Sequence, residues 1–483
     1  MKIAFFVNAF PMMSEAFIAN SAAALIDQGH SVDIFGVGNA APTGLSVKSV
    51  EDHHLEQRTV NMRWPTSGVG RLAGLPGALG TIVRKNGVAA LGRLRPNIYR
   101  RSMRDLTAFY QASAFDGDGE YDILHCQFAT LAEGVIKHRK AGFLKGHIIV
   151  NFRGYDISET VAAIGPHVYD HVWPEASGYI ANCDYFRSRA VDIGCPEDRI
   201  DVIGSGIRLE NFPFEPATHR EENHVRFLMV GRLIERKGFQ VALRALAQFS
   251  QLTKTPVKVD VVGDGAMRAN LESLANDLGL GASVEFHGAR THSEIAGFLR
   301  RTDVFLAPSM TSAKGGQDAP VNTLKEAMAV GRPVIGTIHG GIPELVIEGE
   351  TGVLATENDV DSLCAAINRL MDQRSNWPQL VTRARAKVEE MYNLDRVTQK
   401  LVALYERTIA EENRQPKVLQ SGSQQKLQAR NLLQYFPSSL SASPKALRSG
   451  TIFSSAEPRL IKSVRQLACG GPASKSQHQI VTE

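Results

Sequence analysis

Residues 308–344 read PSMTSAKGGQDAPVNTLKEAMAVGRPVIGTIHGGIPE, and the order of signals in them decides the fold. The apolar run 303–307 just before suits a buried strand. Ala319-Pro320 then predicts a helix start, where proline's missing amide costs nothing, and Gly331 with Pro333 stops that helix. Leu324, Ala327 and Met328 fall at the three-and-four spacing of one buried stripe, so the polar edge bearing Glu326 turns toward a cleft. Asp318 precedes the helix, among amides that have no intrahelical partner. Such amides, at the positive end of the helix dipole, suit a diphosphate or a row of sugar hydroxyls.

Outward from this segment, short apolar runs at 2–7, 31–35, 123–126, 147–151 and 178–181 are separated by helical or loop sequence, which predicts a parallel sheet. The pattern restarts after Gly204-Ser205-Gly206 and Phe212-Pro213, at 225–230, 257–262, 283–286, 303–307 and 333–336. The chain therefore divides into an α/β unit over 1–205, a second over 206–390, a terminal helix over 391–412 and a tail over 413–483. Ser, Gln, Lys and Pro dominate the tail, the composition of disorder.

With 483 residues, 43% hydrophobic and 22% charged, the chain can bury two ordinary cores, and a net charge of +4 is small for its size. Five cysteines without paired short spacing indicate neither a zinc site nor a disulfide framework, and a reducing cytoplasm fits them. The opening MKIAFFVNAF stops at Pro11 and Glu15 and reads as a first strand, not a leader or a membrane span.

A second cluster of charge is Gly231-Arg232-Leu233-Ile234-Glu235-Arg236-Lys237-Gly238, between the 225–230 strand and a helix beginning near Phe239. Its cations project from the carboxyl edge of the sheet, where doubly wound sheets bind ligands. Two cations beside a diphosphate contribute roughly a few kcal/mol each at an effective dielectric near 20. The plainer alternative is a solvated charged turn. Gly263-Asp264-Gly265 ends the next strand, either as a site of close backbone approach or as a tight turn only.

Together the Asp318/Glu326 pair, with seven residues between, and the Gly-Arg-x-x-x-x-Lys-Gly turn resemble retaining glycosyltransferases of family four, and the resemblance runs through most of residues 1–410. It implies a GT-B fold: two Rossmann-like domains facing a central cleft, with a C-terminal helix crossing back to the first domain. It implies transfer of a sugar from a nucleoside-diphosphate sugar without cofactor or metal. Arg232 and Lys237 would hold the pyrophosphate, Glu326 the ribose and Asp318 the sugar. Where most members have Glu-Gly-x-Pro, this chain has Asp318-Ala319-Pro320, about one methylene shorter, which bears on the donor sugar more than on the reaction. His287-Gly288-Ala289-Arg290 aligns with the region lining the base, although Arg290 also reads as a surface charge. Gly340-Gly341-Ile342-Pro343-Glu344 resembles the turn beside the donor and is expected as a pocket wall, with turn and cap chemistry as its competitor.

In the first unit, Asp122-Ile123-Leu124-His125-Cys126-Gln127-Phe128 puts His125 where the family has a histidine facing the donor sugar; a hydrogen-bonded strand end is the other reading. Arg153, in Asn151-Phe152-Arg153-Gly154-Tyr155-Asp156, is expected either to meet acceptor phosphate or to brace the loop with Asp156. Phe10-Pro11-Met12-Met13-Ser14-Glu15-Ala16-Phe17 resembles a polysaccharide-assembly subset. There Ser14 and Glu15 serve either helix capping or acceptor binding. The subset implies a lipid-linked oligosaccharide acceptor.

Between 58 and 104 the chain carries Arg63, Arg71, Arg84, Lys85, Arg93, Arg95, Arg100 and Arg101 but no acid. Interleaved Trp64, Leu91, Leu94, Ile98 and Tyr99 suit docking on an anionic inner-membrane surface, with Leu460, Ile461, Val464 and Leu467 as a weaker contact; a solvated insertion is the alternative. No nucleic-acid module accompanies the charge, and Asp116-Gly117-Asp118, in a polar loop, is not expected to hold a metal. A sugar-nucleotide epimerase, a phosphorylase or a non-catalytic membrane adaptor are the rival functions. A dehydrogenase is disfavoured because Asn8–Phe17 has no glycine for a dinucleotide turn.

Overall fold

The first sheet of the computed structural model has seven parallel strands: β1 (Lys2–Val7), β2 (Ser31–Gly36), β3 (Thr59–Asn61), β4 (Glu120–Cys126), β5 (Lys145–Phe152), β6 (Gly178–Ala181) and β7 (Ile200–Val202). The structure describes residues 1–12, 15–38, 48–117, 119–217 and 223–414. Strand order is β3-β2-β1-β4-β5-β6-β7, with Ala4 opposite Leu124 across the central β1–β4 pair. The second sheet contains β8 (Val225–Val230), β9 (Val257–Val262), β10 (Val284–Gly288), β11 (Val304–Ala307), β12 (Val334–Thr337) and β13 (Val353–Ala355), ordered β10-β9-β8-β11-β12-β13. Both sheets lie in one compact unit spanning residues 1–415.

The near-continuous Val, Ile, Leu and Phe of the central strands follow from parallel sheets covered on both faces. One face of the first sheet, with Phe6, Leu124 and Val150, packs under Tyr99, Phe143 and Phe186. Its other face, with Ile3, Phe5 and Ile123, packs against Leu401, Leu404 and Tyr405 of the helix Leu394–Arg414. The expected terminal helix thus crosses onto the first sheet. It is preceded by a separate helix, Trp377–Tyr392, which packs on the second sheet through Ala384 and Val388. The two passages between the sheets run side by side, since Ile207 donates to the Tyr392 carbonyl at 2.8 Å and accepts from Leu394 N–H at 3.1 Å.

In an open doubly wound sheet the ligand crevice opens where strand order reverses. That reversal falls between β1 and β4 in one sheet and between β8 and β11 in the other. The loops after β1, β8 and β11 carry Glu15, Arg232 with Lys237, and Asp318.

The structure corrects several expectations. The helix after β11 starts at Asn322 with Val321 as its N-cap, so Pro320 lies before it in the loop. Strands β3, β7 and β13 have three residues each, too short for an apolar pattern to announce them. In the basic insertion, the helix Gly68–Asn86 and the turns after it bury Leu94 and Tyr99, while Trp64, Leu91 and Ile98 pack partly buried against the same core. These residues are core, not membrane contacts. Tyr99 pairs its hydroxyl with His138 Nδ1 at 3.0 Å. Ser14, Asp118 and the tail with Leu460, Ile461, Val464 and Leu467 lie outside the described residues.

Candidate active site

A cavity of about 510 Å³ lies between the two sheets. Its second-domain wall carries Arg232, Lys237, Gly263, Arg290, Asp318, Pro320 and Glu326; Glu15, Phe17, Arg153 and Tyr155 belong to its first-domain wall. The fold therefore brings together most of the residues singled out from sequence.

Glu326, on the helix Asn322–Val330, is 2% exposed. The buried stripe Leu324, Ala327 and Met328 fixes its helix against the sheet, as the spacing predicts. One carboxylate oxygen lies 3.4 Å from His292 Nδ1, and the other, Oε2, is buried with no hydrogen-bond partner among the described residues. The hydrogen bond to Glu326 raises the pKa of His292. A buried unsatisfied carboxylate oxygen costs stability unless something completes it. A ligand hydroxyl donating into the cavity would do so.

Asp318 is engaged on both oxygens: Oδ1 lies 3.0 Å from Arg236 Nε, and Oδ2 accepts from Lys237 Nζ and Ser309 Oγ, each at 2.9 Å. Burial alone would push its pKa up, but the adjacent Lys237 and Arg236 cations override this and hold it down at about 2. Its backbone N–H donates to His339 Nε2 at 3.0 Å, while His339 Nδ1 lies 2.6 Å from Glu357 Oε2. This pair of bonds assigns the neutral tautomer protonated at Nδ1. Asp318 thus fixes the position of Lys237. Arg232 is exposed to the cavity and makes no side-chain hydrogen bond or ion pair among the described residues, leaving it the free cation of the motif there.

Gly263 is required by contact, because a Cβ there would stand 1.9 Å from the Gly231 carbonyl where β8 and β9 converge. Gly340, at φ +51°, would put a Cβ 2.0 Å from the Asp318 carbonyl. Neither Gly340 nor Gly341 lines the cavity; they back the Asp318 loop, with Gly341 N–H donating to the Asp318 carbonyl at 3.0 Å. The expected pocket wall is corrected to a support behind it. Glu344 reaches across to the first domain and accepts from the N–H groups of Asp184 at 2.9 Å and Tyr185 at 2.7 Å.

His125 is also placed differently from the expectation. It is 1% exposed, outside the cavity lining, edge-on to Phe5 and 2.6 Å from the Tyr405 hydroxyl. Burial, then the nearby Arg153, holds its pKa well below 6.5. Strand alternation puts it on the face covered by the crossing helix, so it does not face a donor. Arg153 does line the cavity, but its guanidinium donates to the Gln127 carbonyl at 3.0 Å, Gln127 Oε1 at 2.7 Å and Ser205 Oγ at 3.1 Å, and stacks 4.5 Å over Phe17. Burial lowers its pKa to about 10. The loop brace is Asp156, which accepts backbone N–H bonds from Ala129, Arg153, Gly154 and Ile157.

Sequence reasoning passed over Arg236, His292 and Gln317. Arg236 is the most buried cation of the charged turn, pairing Asp318 on one side and Glu159 at 2.7 Å on the other, and it stood in a variable position of the motif. His292 opens a helix whose Thr291/Glu294 capping box is visible in the sequence, although nothing there points to Glu326. Gln317 donates its N–H to Ser158 Oγ at 3.2 Å and accepts from the Tyr185 hydroxyl at 2.9 Å, contacts without a sequence signature. Outside the cavity, Asp260, Glu285 and His287 have ligand atoms close enough to share an ion, but Arg226 Nη1 and His287 Nε2 already occupy the Asp260 carboxylate, at 3.2 and 2.6 Å.

Residues 212–387 match the family of glycosyl transferases group 1. Over 413 residues the chain is 30% identical to WcaL of Salmonella typhimurium, named as a candidate colanic acid biosynthesis glycosyltransferase, covering 84% of this chain and 99% of that protein. The chain belongs to the group 1 glycosyltransferases. It is also 29% identical over 417 residues to the amylovoran biosynthesis glycosyltransferase AmsK of Erwinia amylovora, covering 84% of this chain and all of AmsK. Among solved structures, Anabaena HepE, crystallised with UDP and glucose, superposes with a TM-score of 0.59 at 20% identity, covering 84% of this chain and all of HepE. That likeness establishes the shared GT-B fold.

Proposed function

We infer that this glycosyltransferase moves a sugar, with retention of configuration, from a nucleoside-diphosphate sugar to a hydroxyl of a lipid-linked oligosaccharide during exopolysaccharide assembly. The unpartnered buried Oε2 of Glu326, a residue that lines the cavity together with the free Arg232, carries the donor reading: one group suits a ribose hydroxyl and the other a diphosphate. UDP in HepE and the polysaccharide names of WcaL and AmsK support the donor class and the pathway. As the sugar–phosphate bond breaks, charge grows on the diphosphate, where Arg232 and Lys237 stabilise it more than in the ground state. These cations take the part a metal plays elsewhere, and no cofactor is needed.

The acceptor reading places the first domain at an anionic membrane. Among the described residues no helix is long and apolar enough to cross one. The basic insertion instead exposes Val69 (81%), Leu72 (64%) and Val88 (70%), alongside exposed Arg63, Arg84, Arg95 and Arg100. Apolar side chains among free cations are the combination that binds anionic lipid.

A panel of UDP-, GDP- and dTDP-sugars incubated with a total lipid extract from polysaccharide-producing bacteria tests the reading. Mass analysis should show one added sugar, nuclear magnetic resonance an unchanged anomeric configuration, and a chelator no loss of rate. Sugar isomerisation without transfer would overturn the reading in favour of an epimerase. Inversion of configuration, or loss with chelator and recovery with manganese, would remove those parts of it.

A further inference from the structure

The two passages between the domains meet over one buried cation. Lys325, the residue before Glu326 on the helix Asn322–Val330, is 1% exposed. Its Nζ donates to the Ser205 carbonyl of the first passage at 2.9 Å and to Asn322 Oδ1 on its own helix at 3.1 Å. It also stands 4.1 Å over the ring of Tyr392, where the second passage begins. Ser205 is held from the first domain as well, since its Oγ accepts from Arg153 Nη1 at 3.1 Å. A Cβ at Gly204 would stand 2.7 Å from the Tyr392 ring, and one at Gly206 2.8 Å from the Leu394 backbone, so the passages are packed to contact. A rotation of one domain against the other is absorbed at such element-terminal residues, and here it moves the Ser205 carbonyl and the Tyr392 ring relative to Lys325. Among the described residues no carboxylate forms an ion pair with Lys325. The charged and titratable groups facing it are Cys183 beside the first-domain helix Asp184–Asp192, Arg153 after β5, Tyr392 and, on its own helix, Glu326. Glu344 and Asp184 act in turn on Cys183 and Tyr392.

We propose that Lys325 is a positioning residue that couples the donor helix to the interdomain hinge, and that this coupling carries one proton, released to solvent as the cleft closes and recovered as it opens. In the closed cleft the ammonium has two oxygens and a ring for company but no counter-ion, and water is excluded from it. Opening draws the Ser205 carbonyl away and lets water hydrate the charge. Burial pushes the Lys325 amine from 10.5 down to about 7; Cys183 and Glu326 pull the other way, and Arg153 adds to the lowering. The closed form therefore binds fewer protons than the open form between about 7 and 10.5, so closure gains as pH rises through that window and is indifferent to pH below it. Because Lys325 and Glu326 are neighbours on one helix, nucleotide capture at Glu326 and closing of the hinge act on the same turn. That last link rests on the donor reading above; the hinge itself does not.

Small-angle X-ray scattering of the full chain without ligand, from pH 6 to 9, compares wild type with Lys325→Met, which fills the same space without the titrating group, and Lys325→Arg, which stays charged. The wild-type radius of gyration should hold steady up to about pH 7 and fall above it. Lys325→Met should be compact, and Lys325→Arg expanded, across the whole range. A wild-type radius that ignores pH, or a fall that Lys325→Met retains, overturns the proposal. Calorimetry with UDP, GDP and dTDP at pH 8, in buffers of different ionisation enthalpy, counts the proton. Wild type should release up to one per nucleotide bound and gain affinity with pH by at most about tenfold per unit, and Lys325→Met should lose both effects. No release from wild type, or equal release from the variant, overturns the hinge role and leaves the donor reading intact; this arm decides from wild type alone if the variants do not fold. The expected scattering from a wild type that binds none of the three nucleotides would uphold the hinge and remove the donor reading.

Discussion

Asp318→Asn keeps the side-chain shape and deletes one charge between two cations, so its effect can be worked from the ion pairs at 2.9 and 3.0 Å. The drop from an ordinary 3.8 to about 2 corresponds to about 2 kcal/mol of folding stability at neutral pH. Leaving Arg236 and Lys237 buried beside a neutral group brings the expected loss toward 3 kcal/mol. If the second domain unfolds as its own unit, that is a thermal midpoint lower by about 6–12 °C. The sign with pH is fixed: the folded-state pKa is lowered, so the stabilisation is fully present above about 4 and is lost as pH falls through about 2. Thermal melts of wild type and variant, followed by circular dichroism, should therefore separate at pH 7 and converge below pH 4. Midpoints within about 1 °C at pH 7, or a gap that does not narrow in acid, would show that Asp318 does not anchor the two cations.

Arg232→Ala should lower kcat by about 100-fold or more without unfolding the protein, because this exposed side chain holds nothing else together among the described residues; wild-type turnover removes it from the pyrophosphate. Glu326→Gln should weaken nucleotide binding roughly tenfold, since an amide accepts a hydroxyl hydrogen bond less strongly than a carboxylate, and equal calorimetric affinities would contradict the ribose contact. Replacing Arg84, Arg95, Arg100 and Arg101 by Ala should abolish sedimentation with phosphatidylserine vesicles at low salt, at about 1 kcal/mol per charge, with wild-type binding fading as salt rises. Retention of binding by the variant, or equal wild-type binding to neutral vesicles, leaves the insertion merely solvated.

The strands and the second-domain site were legible because both depend on local pattern. Val225–Val230 and Val257–Val262 are valine-rich runs, broken only by Arg226, Lys258 and Asp260, that end in glycine turns; Arg232, Lys237 and Asp318 sit between strand and helix and Glu326 a turn into the helix, so their spacing along the chain fixes their spacing in space. What was not legible depends on contacts between distant segments. Asp318 looked like a free carboxylate until Arg236 and Lys237, some eighty residues earlier, closed on it. His125 carried the right neighbours in sequence, but which face of β4 it took was decided by Tyr405, 280 residues away. The apolar residues of the basic insertion have no clean period, so the sequence could not tell that Leu94 and Tyr99 face the core while Val69 and Leu72 face solvent.

Arg236 gives the charged turn a reason to carry three cations when a diphosphate needs two. Its Nη1 holds Glu159 of the first domain while its Nε holds Asp318 of the second, and Asp318 in turn holds Lys237. Glu344 and Gln317 add further bonds from the second domain to Tyr185 and its neighbours in the first. Separation of the domains would break the Arg236–Glu159 pair and take one anchor from the cation that braces Asp318, so the geometry of Lys237 is tied to the closed cleft. A site in which one of the bracing cations gains its second anchor on closure exerts its full field only when the opposite wall has arrived and water has been displaced. The same chain of contacts therefore links exclusion of water to the readiness of the leaving-group cations, which is what a transferase needs if water is not to take the acceptor's place.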